Sequence, residues 1–115
     1  MKIPFNRVNI QGNEIEYILK AVKDGHISGD GFFTKECSKL LEQALNIPKA
    51  LLTTSCTHAL EMSAILAGIR PGDEVIIPSY TFVSTVNAFV LRGAIPVFID
   101  IRFDTLNLDE SKLED

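Results

Sequence analysis

The sequence predicts an α/β fold: a mostly parallel sheet with helices on its faces. Three observations predict it. Short apolar runs at Ala50–Thr53, Glu74–Ile77 and Pro96–Ile99 have the length of buried strands. Helically spaced stretches lie between them. Turn residues mark the joints, with Gly68, Pro71 and Gly72-Asp73 before the second run and Gly93 before the third. Strand–helix–strand–helix–strand order builds a parallel sheet, and its crossovers are right-handed.

The pattern divides the chain into an amino-terminal helical segment, 1–48, and a strand–helix–strand–helix–strand segment, 49–115. In the first, Ile15, Ile18, Leu19 and Val22 share one face of a helix over Glu14–Asp24. Asn13 is placed to cap it, with Glu16 completing a capping box, and Gly25 stops it. A second helix is predicted over Lys35–Leu45, capped by Thr34, with Phe33, Cys37, Leu40, Leu41 and Ala44 as its stripe. Cys37 reads as a small core residue there.

In the second segment, Ala50–Thr53 is the first expected strand. A helix follows over Thr57–Ala67, apolar nearly all round except for His58, Glu61 and Ser63. Glu74–Ile77 is the second strand, Phe82–Arg92 a helix ended by Gly93, and Pro96–Ile99 the third strand. Asp109 reads as the cap of a further helix that runs on to Asp115 with no stop signal. Three strands are few for such a sheet, whose mode is ~4–6. The pattern therefore reads as truncated relative to a larger domain.

The composition is globular: 115 residues, 46% hydrophobic and 23% charged. The net charge of −4 and the lack of any Lys/Arg cluster argue against nucleic-acid binding. No stretch is apolar and long enough to span a bilayer, and the first residues lack the apolar run of a signal peptide. Cys37 and Cys56 have no paired spacing, so neither a disulfide framework nor a zinc site is predicted. No metal site is expected, and the plain reading is a cytoplasmic protein.

Open parallel sheets bind ligands at the carboxyl ends of their strands. Two loops fall there. Thr53-Thr54-Ser55-Cys56-Thr57 leads into the apolar helix, whose start offers free N–H groups and a partial positive charge, a natural anion site. Small hydroxylated residues let the backbone come close and add donors. Taken alone, the same residues are also what an ordinary helix cap looks like. The loop Pro78-Ser79-Tyr80-Thr81-Phe82 places two aromatics near the same edge, as a stacking platform or as core filler. Cys56 has no identifiable His partner and is a poor candidate nucleophile. His58 reads as an ordinary early-helix residue, His26 and Asp100 and Asp104 as turn residues. No Gly-x-Gly-x-x-Gly or Walker sequence occurs, so a dinucleotide or P-loop site has no support.

The segments Leu51–Met62, Pro71–Thr85, Arg92-Gly93-Ala94 and Val97-Phe98-Ile99-Asp100 resemble the opening third of the DegT/DnrJ/EryC1/StrS family. The Pro71-Gly72-Asp73-Glu74-Val75 stretch followed by Pro78-Ser79-Tyr80-Thr81-Phe82 is strongly specific to it. The resemblance implies the amino-terminal part of a fold type I transferase that uses pyridoxal 5'-phosphate (PLP). It implies an aminotransferase that moves an amino group from an amino-acid donor, glutamate, to a nucleotide-linked keto-deoxysugar in surface polysaccharide or lipopolysaccharide biosynthesis. It further implies a homodimer with sites at the interface. Residue by residue, the family's phosphate-gripping loop falls on Cys56 and Thr57, and its ring-stacking aromatic on Phe82. Cys56 stands where many relatives carry Gly or Ala, a change that a backbone contact tolerates.

The resemblance places the Schiff-base lysine and the aspartate that pairs with the pyridine nitrogen beyond Asp115. The residues as given therefore contain no catalytic residue and are expected to be inactive alone. Two other readings stand beside this one. A sugar dehydratase of the same family would carry histidine in place of the downstream lysine. A non-catalytic fragment would keep the fold without the chemistry.

Overall fold

The computed structural model describes residues 2–113. The chain forms two compact units, Met1–Leu52 and Thr53–Asp115.

In the first unit, α1 spans Glu14–Lys23, as its apolar spacing predicts. Its entry differs from the predicted capping box. Asn13 makes no side-chain cap bond, and its backbone (φ −92°, ψ 21°) lies outside the extended region that a cap needs. Instead the Glu14 carboxylate folds back to accept the N–H of Gly12 at 2.8 Å and of Gln11 at 3.3 Å. Those donors precede the helix, whereas a cap at Asn13 would accept from Ile15 or Glu16, so the departure from the capping box lies in the Asn13 backbone. The N–H groups of Glu14 itself, Gly12 and Gln11 hold its carboxyl below the usual range. Because the folded value is depressed, this contribution is complete above the ordinary carboxylate pKa. It is lost as pH falls through the lowered one.

The second helix, α2, spans Phe32–Leu45 and starts three residues before the predicted Lys35. Its cap is Gly31, in extended backbone, and Thr34 sits inside the first turn. The Gly31 carbonyl accepts the Lys35 N–H at 3.2 Å, which fixes the first turn there. The exit is Asn46 in the left-handed region (φ 52°), a conformation asparagine tolerates. Tyr17 of α1 meets Phe33 of α2 with ring centroids 5.2 Å apart. Lys20 Nζ lies 4.3 Å from the Phe32 ring centre. Neither helix buries a residue completely, so Cys37 is exposed and not the core residue its spacing suggests.

The expected strand at Ala50–Thr53 does not form. A strand exists only through its ladder, and among the described residues no strand pairs with this segment. The Ala50 N–H donates to Glu42 Oε1 at 3.0 Å, and Lys49 Nζ approaches the same oxygen at 3.2 Å. The Ala50 N–H, then the Lys49 ammonium, lower the Glu42 carboxyl below its ordinary pKa.

The second unit runs α3 (Cys56–Leu66), β1 (Glu74–Pro78), α4 (Val83–Val90) and β2 (Ile95–Ile99), then a 3₁₀ turn at Glu110–Lys112. β1 and β2 pair in parallel, from Glu74 against Ile95 to Pro78 against Ile99. Parallel neighbours need a crossover, and α4 supplies it. α4 packs on both strands and on α3. Pro96 lacks an N–H, and the β1 ladder does not need one there: the neighbouring Ile95 N–H donates to the Asp73 carbonyl, so the alternation of the strand turns the Pro96 nitrogen away from β1. The buried apolar residues are Ala64 of α3, Ile77 of β1, Ala88 of α4 and Ala94 before β2. Both helices bury alanine, the size that lets backbones approach closely.

The joint between the strands is tight. The Gly72 N–H donates to the Gly93 carbonyl at 3.0 Å, and the Ile95 N–H to the Asp73 carbonyl at 2.8 Å. Beyond β2, an isolated antiparallel bridge joins Ile101 to Leu108. Arg102 grips Asp104 at 2.8 Å and Glu110 at 3.0 Å across that turn. Asp109 caps as predicted, accepting the Ser111 N–H at 3.2 Å, but the turn that follows is 3₁₀ and not α. The predicted continuation through residues 114–115 lies outside the described residues. No helix of the described residues is long and apolar enough to cross a membrane.

Candidate cofactor-binding site

The Thr53–Thr57 loop enters α3 as a closed set of hydrogen bonds. Ser55 is the cap, in extended backbone (φ −160°, ψ 162°), and its Oγ accepts the His58 N–H at 3.1 Å. The Ser55 carbonyl accepts the Ala59 N–H at 3.1 Å and the Thr53 hydroxyl at 2.7 Å. Thr54 Oγ1 lies 2.6 Å from His58 Nδ1.

What remains is the donor set that matters for a ligand. Cys56 and Thr57 occupy the first two helical positions, where N–H groups have no intrahelical partner. Those two N–H groups and the Thr57 hydroxyl have no acceptor among the described residues. The first turn of α3 carries no acidic residue to compete for them. The helix adds a positive end of about half a unit charge. Such a set of donors suits an anion of phosphate type. The sequence expected α3 to begin at Thr57; it begins one residue earlier, so Thr57 is a helical residue and not the cap.

The second loop leaves the carboxyl end of β1. The Ser79 N–H donates to the Ile99 carbonyl at 2.8 Å, which extends the parallel ladder by one link. The Ser79 hydroxyl reaches Asp100 Oδ1 at 3.4 Å, and Asp100 also accepts the Ile101 N–H at 2.9 Å. Asp100 is thus used within its own turn. Thr81 bonds Thr85 at 3.1 Å. Phe82 is the residue before α4 and does not cap it with its side chain. Phe82 is 74% exposed and Tyr80 67% exposed, so neither ring is core filler of this unit. A flat ligand could take either as a platform.

The loops before α3 and α4 thus feed helices that pack on one another, and the second begins where β1 ends. His26 is the turn residue expected of it, with Nε2 3.2 Å from the Gly29 carbonyl. Among the described residues no group of His, Cys, Asp and Glu is arranged to hold a metal. Sequence reasoning missed the Thr54–His58 contact. Its signal was present, since a hydroxyl and an imidazole four residues apart meet once the intervening residues begin a helix.

These features define a class: an α/β domain with an anion-receptive helix start beside a parallel sheet. The family model for the DegT/DnrJ/EryC1/StrS aminotransferase family matches residues 8–115, and the chain belongs to that family. It is 37% identical over 105 residues to a GDP-perosamine synthase of Caulobacter vibrioides, covering 91% of this chain and 28% of that protein. A Streptococcus pneumoniae chain, Spr1654, solved in its PLP form, matches with a TM-score of 0.84 and 33% identity, over 99% of this chain and 29% of that one. NtdA of Bacillus subtilis with bound cofactor PMP matches with a TM-score of 0.82 and 32% identity, over 98% and 27%. The chain therefore spans about 28% of the length of the curated relatives it matches. The α/β architecture with its parallel sheet is that of the PLP-dependent fold.

Proposed function

We propose that this chain contributes the cofactor-phosphate and ring-stacking part of a PLP-dependent sugar aminotransferase. The observation that carries the reading is the free donor set at the start of α3, in a chain whose family match covers that loop. The N–H groups of Cys56 and Thr57 and the Thr57 hydroxyl hold the phosphate through charge-assisted hydrogen bonds. Phe82 lies against the ring. When bound, the cofactor supplies an electron sink for the carbon that exchanges keto and amino groups.

The reaction exchanges the amino group of an amino-acid donor for the carbonyl oxygen of a keto sugar. Glutamate would leave as 2-oxoglutarate and the keto carbon would become an amine-bearing carbon. The substrate is a keto-deoxysugar on a nucleoside diphosphate. We assign dTDP-4-keto-6-deoxyhexose, because Ile3–Asn6, Gly29–Thr34 and Asn87–Ala94 resemble the enzymes that make dTDP-4-amino-4,6-dideoxygalactose for enterobacterial common antigen. A GDP-linked sugar, as in the name of the Caulobacter relative, is the competing substrate. The working enzyme is a cytoplasmic homodimer, and residues 49–115 are the opening part of its PLP-binding large domain.

The test is transfer of label from ¹⁵N-glutamate to each keto-sugar nucleotide by the full-length protein, read by mass spectrometry. Labelled dTDP-amino sugar is the expected product; no labelled sugar from either nucleotide ends the proposal. Phe82→Leu should keep the fold but weaken PLP binding by ~2- to 10-fold, the value of a stacked ring beyond area burial. Phe82→Tyr should stay near the parent. Equal PLP binding by the Leu and Tyr variants would assign Phe82 to packing alone.

The residues in this chain should not suffice by themselves. All seven lysines are exposed, and none sits in a desolvated setting. A lysine that attacks a carbonyl near neutral pH must be partly desolvated. Borohydride reduction of the 115-residue piece with PLP should therefore label lysines only in scattered fashion. One lysine labelled stoichiometrically at low PLP would refute this.

A further inference from the structure

We infer that Thr54 and His58 form a latch that positions the phosphate-binding start of α3, a reading that rests on the proposed cofactor role. Three hydroxylated residues precede the helix, and each hydroxyl oxygen is engaged inside the turn. Thr53 bonds the Ser55 carbonyl at 2.7 Å, Ser55 accepts the His58 N–H at 3.1 Å, and Thr54 meets His58 Nδ1 at 2.6 Å. Ser55 keeps its own O–H as a donor, and among the described residues Thr57 has the one hydroxyl of the loop with no partner at all.

The Thr54–His58 bond is the one contact that ties the loop to the helix side chain to side chain. His58 is thereby held twice, by its own N–H at Ser55 and by its ring at Thr54. Residues 54–58 become one cyclic unit that includes Cys56 and Thr57. A loop held this way meets the phosphate with its N–H groups already aimed, so less ordering entropy is lost on binding. Both side chains are exposed, so neither is there to fill a core. With Nδ1 unprotonated, the Thr54 hydroxyl donates to it and the ring carries its proton on Nε2. Thr54 and His58 are positioning residues, acting through the backbone of Cys56 and Thr57.

The test uses the full-length enzyme. Affinities for PLP and for pyridoxal, which lacks the phosphate, are read by equilibrium dialysis with cofactor absorption. Phosphorus NMR reads the environment of the bound phosphate. Thr54→Val and His58→Phe should each weaken PLP by roughly 3- to 10-fold, the value of one net hydrogen bond. The double variant should be no weaker than either single one, because both remove the same contact. Thr54→Ser restores the hydroxyl, and His58→Asn places an amide where Nδ1 stands. Both should return PLP affinity to within about 2-fold of the parent, well inside a hydrogen bond's worth. The phosphorus signal should move in the Val and Phe variants, and pyridoxal affinity should not change. Additive losses, an equal loss for pyridoxal, or unchanged PLP affinity in Thr54→Val would overturn the latch. A parent enzyme that holds PLP no better than pyridoxal would remove the cofactor reading and the latch with it. The latch alone falls if the parent discriminates and the variants discriminate equally well.

Discussion

Replacing Thr57 by Ala in the full-length enzyme should weaken PLP binding by roughly ten- to a hundredfold. That is the value of one hydrogen bond to a charged group, ~1.5–3 kcal/mol. The Thr57 hydroxyl has no partner among the described residues, so its removal costs the folded chain no internal bond. Nor does it touch the helix cap, which is Ser55. The substitution therefore separates binding from stability. Thr57→Ser keeps the hydroxyl and should stay close to the parent. Ser55→Ala is the complementary case: it removes the acceptor of the His58 N–H and should act on stability, by ~0.5–2 kcal/mol. Calorimetric titration of PLP beside urea denaturation of each variant separates the two effects. A folded Thr57→Ala enzyme that binds PLP as well as the parent would end the phosphate assignment.

Gly93→Ala should cost ~2–5 kcal/mol of stability, measured as a lowered urea midpoint of the full-length protein. Two effects add. Gly93 sits at φ +84°, where an L side chain is strained by ~1–2 kcal/mol. A Cβ there would also lie 2.9 Å from Cα, Cβ and Cγ of Pro71. All three are ring atoms and the first is also backbone, so they cannot swing aside, and overpacking of this kind costs ~1–3 kcal/mol. The same joint carries the Gly72–Gly93 bond that sets where β1 and β2 begin. Gly68→Ala isolates the conformational part. Its φ is +71° and nothing lies within 4 Å of the added Cβ. It should lose only ~1–2 kcal/mol. If both variants lost the same amount, the contact with Pro71 would carry no energy and the close approach would be incidental.

Where a residue's state depended on its neighbours in sequence, the sequence was a sufficient guide. The apolar spacing in Glu14–Lys23, the runs that became β1 and β2, and the Gly93 stop are local patterns of period and backbone freedom. So is the helix start at Cys56 and Thr57, since free N–H groups belong to any first turn. The resemblance added the role that such a start plays, which no periodicity contains.

Where a residue's role depends on the backbone conformation it is given, only the folded structure decided. Asn13 has the chemistry of a cap, but its backbone is not extended and its side chain makes no cap bond. Thr34 has it too, yet α2 starts at Phe32 with Gly31 as its cap, so Thr34 lies inside the first turn. Ala50–Thr53 has a strand's composition, but among the described residues it finds no ladder, and its Ala50 N–H goes to the Glu42 side chain. The stripe of α1 is real while Ile15, Ile18, Leu19 and Val22 each stay more than half exposed. By itself, then, the sequence determined which segments could be helix or strand and which loop offers free donors, because those are properties of short stretches. Which segments pair was decided by the tertiary structure, because the β1–β2 ladder and the Gly72–Gly93 bond join residues far apart in sequence, and no local pattern fixes that register.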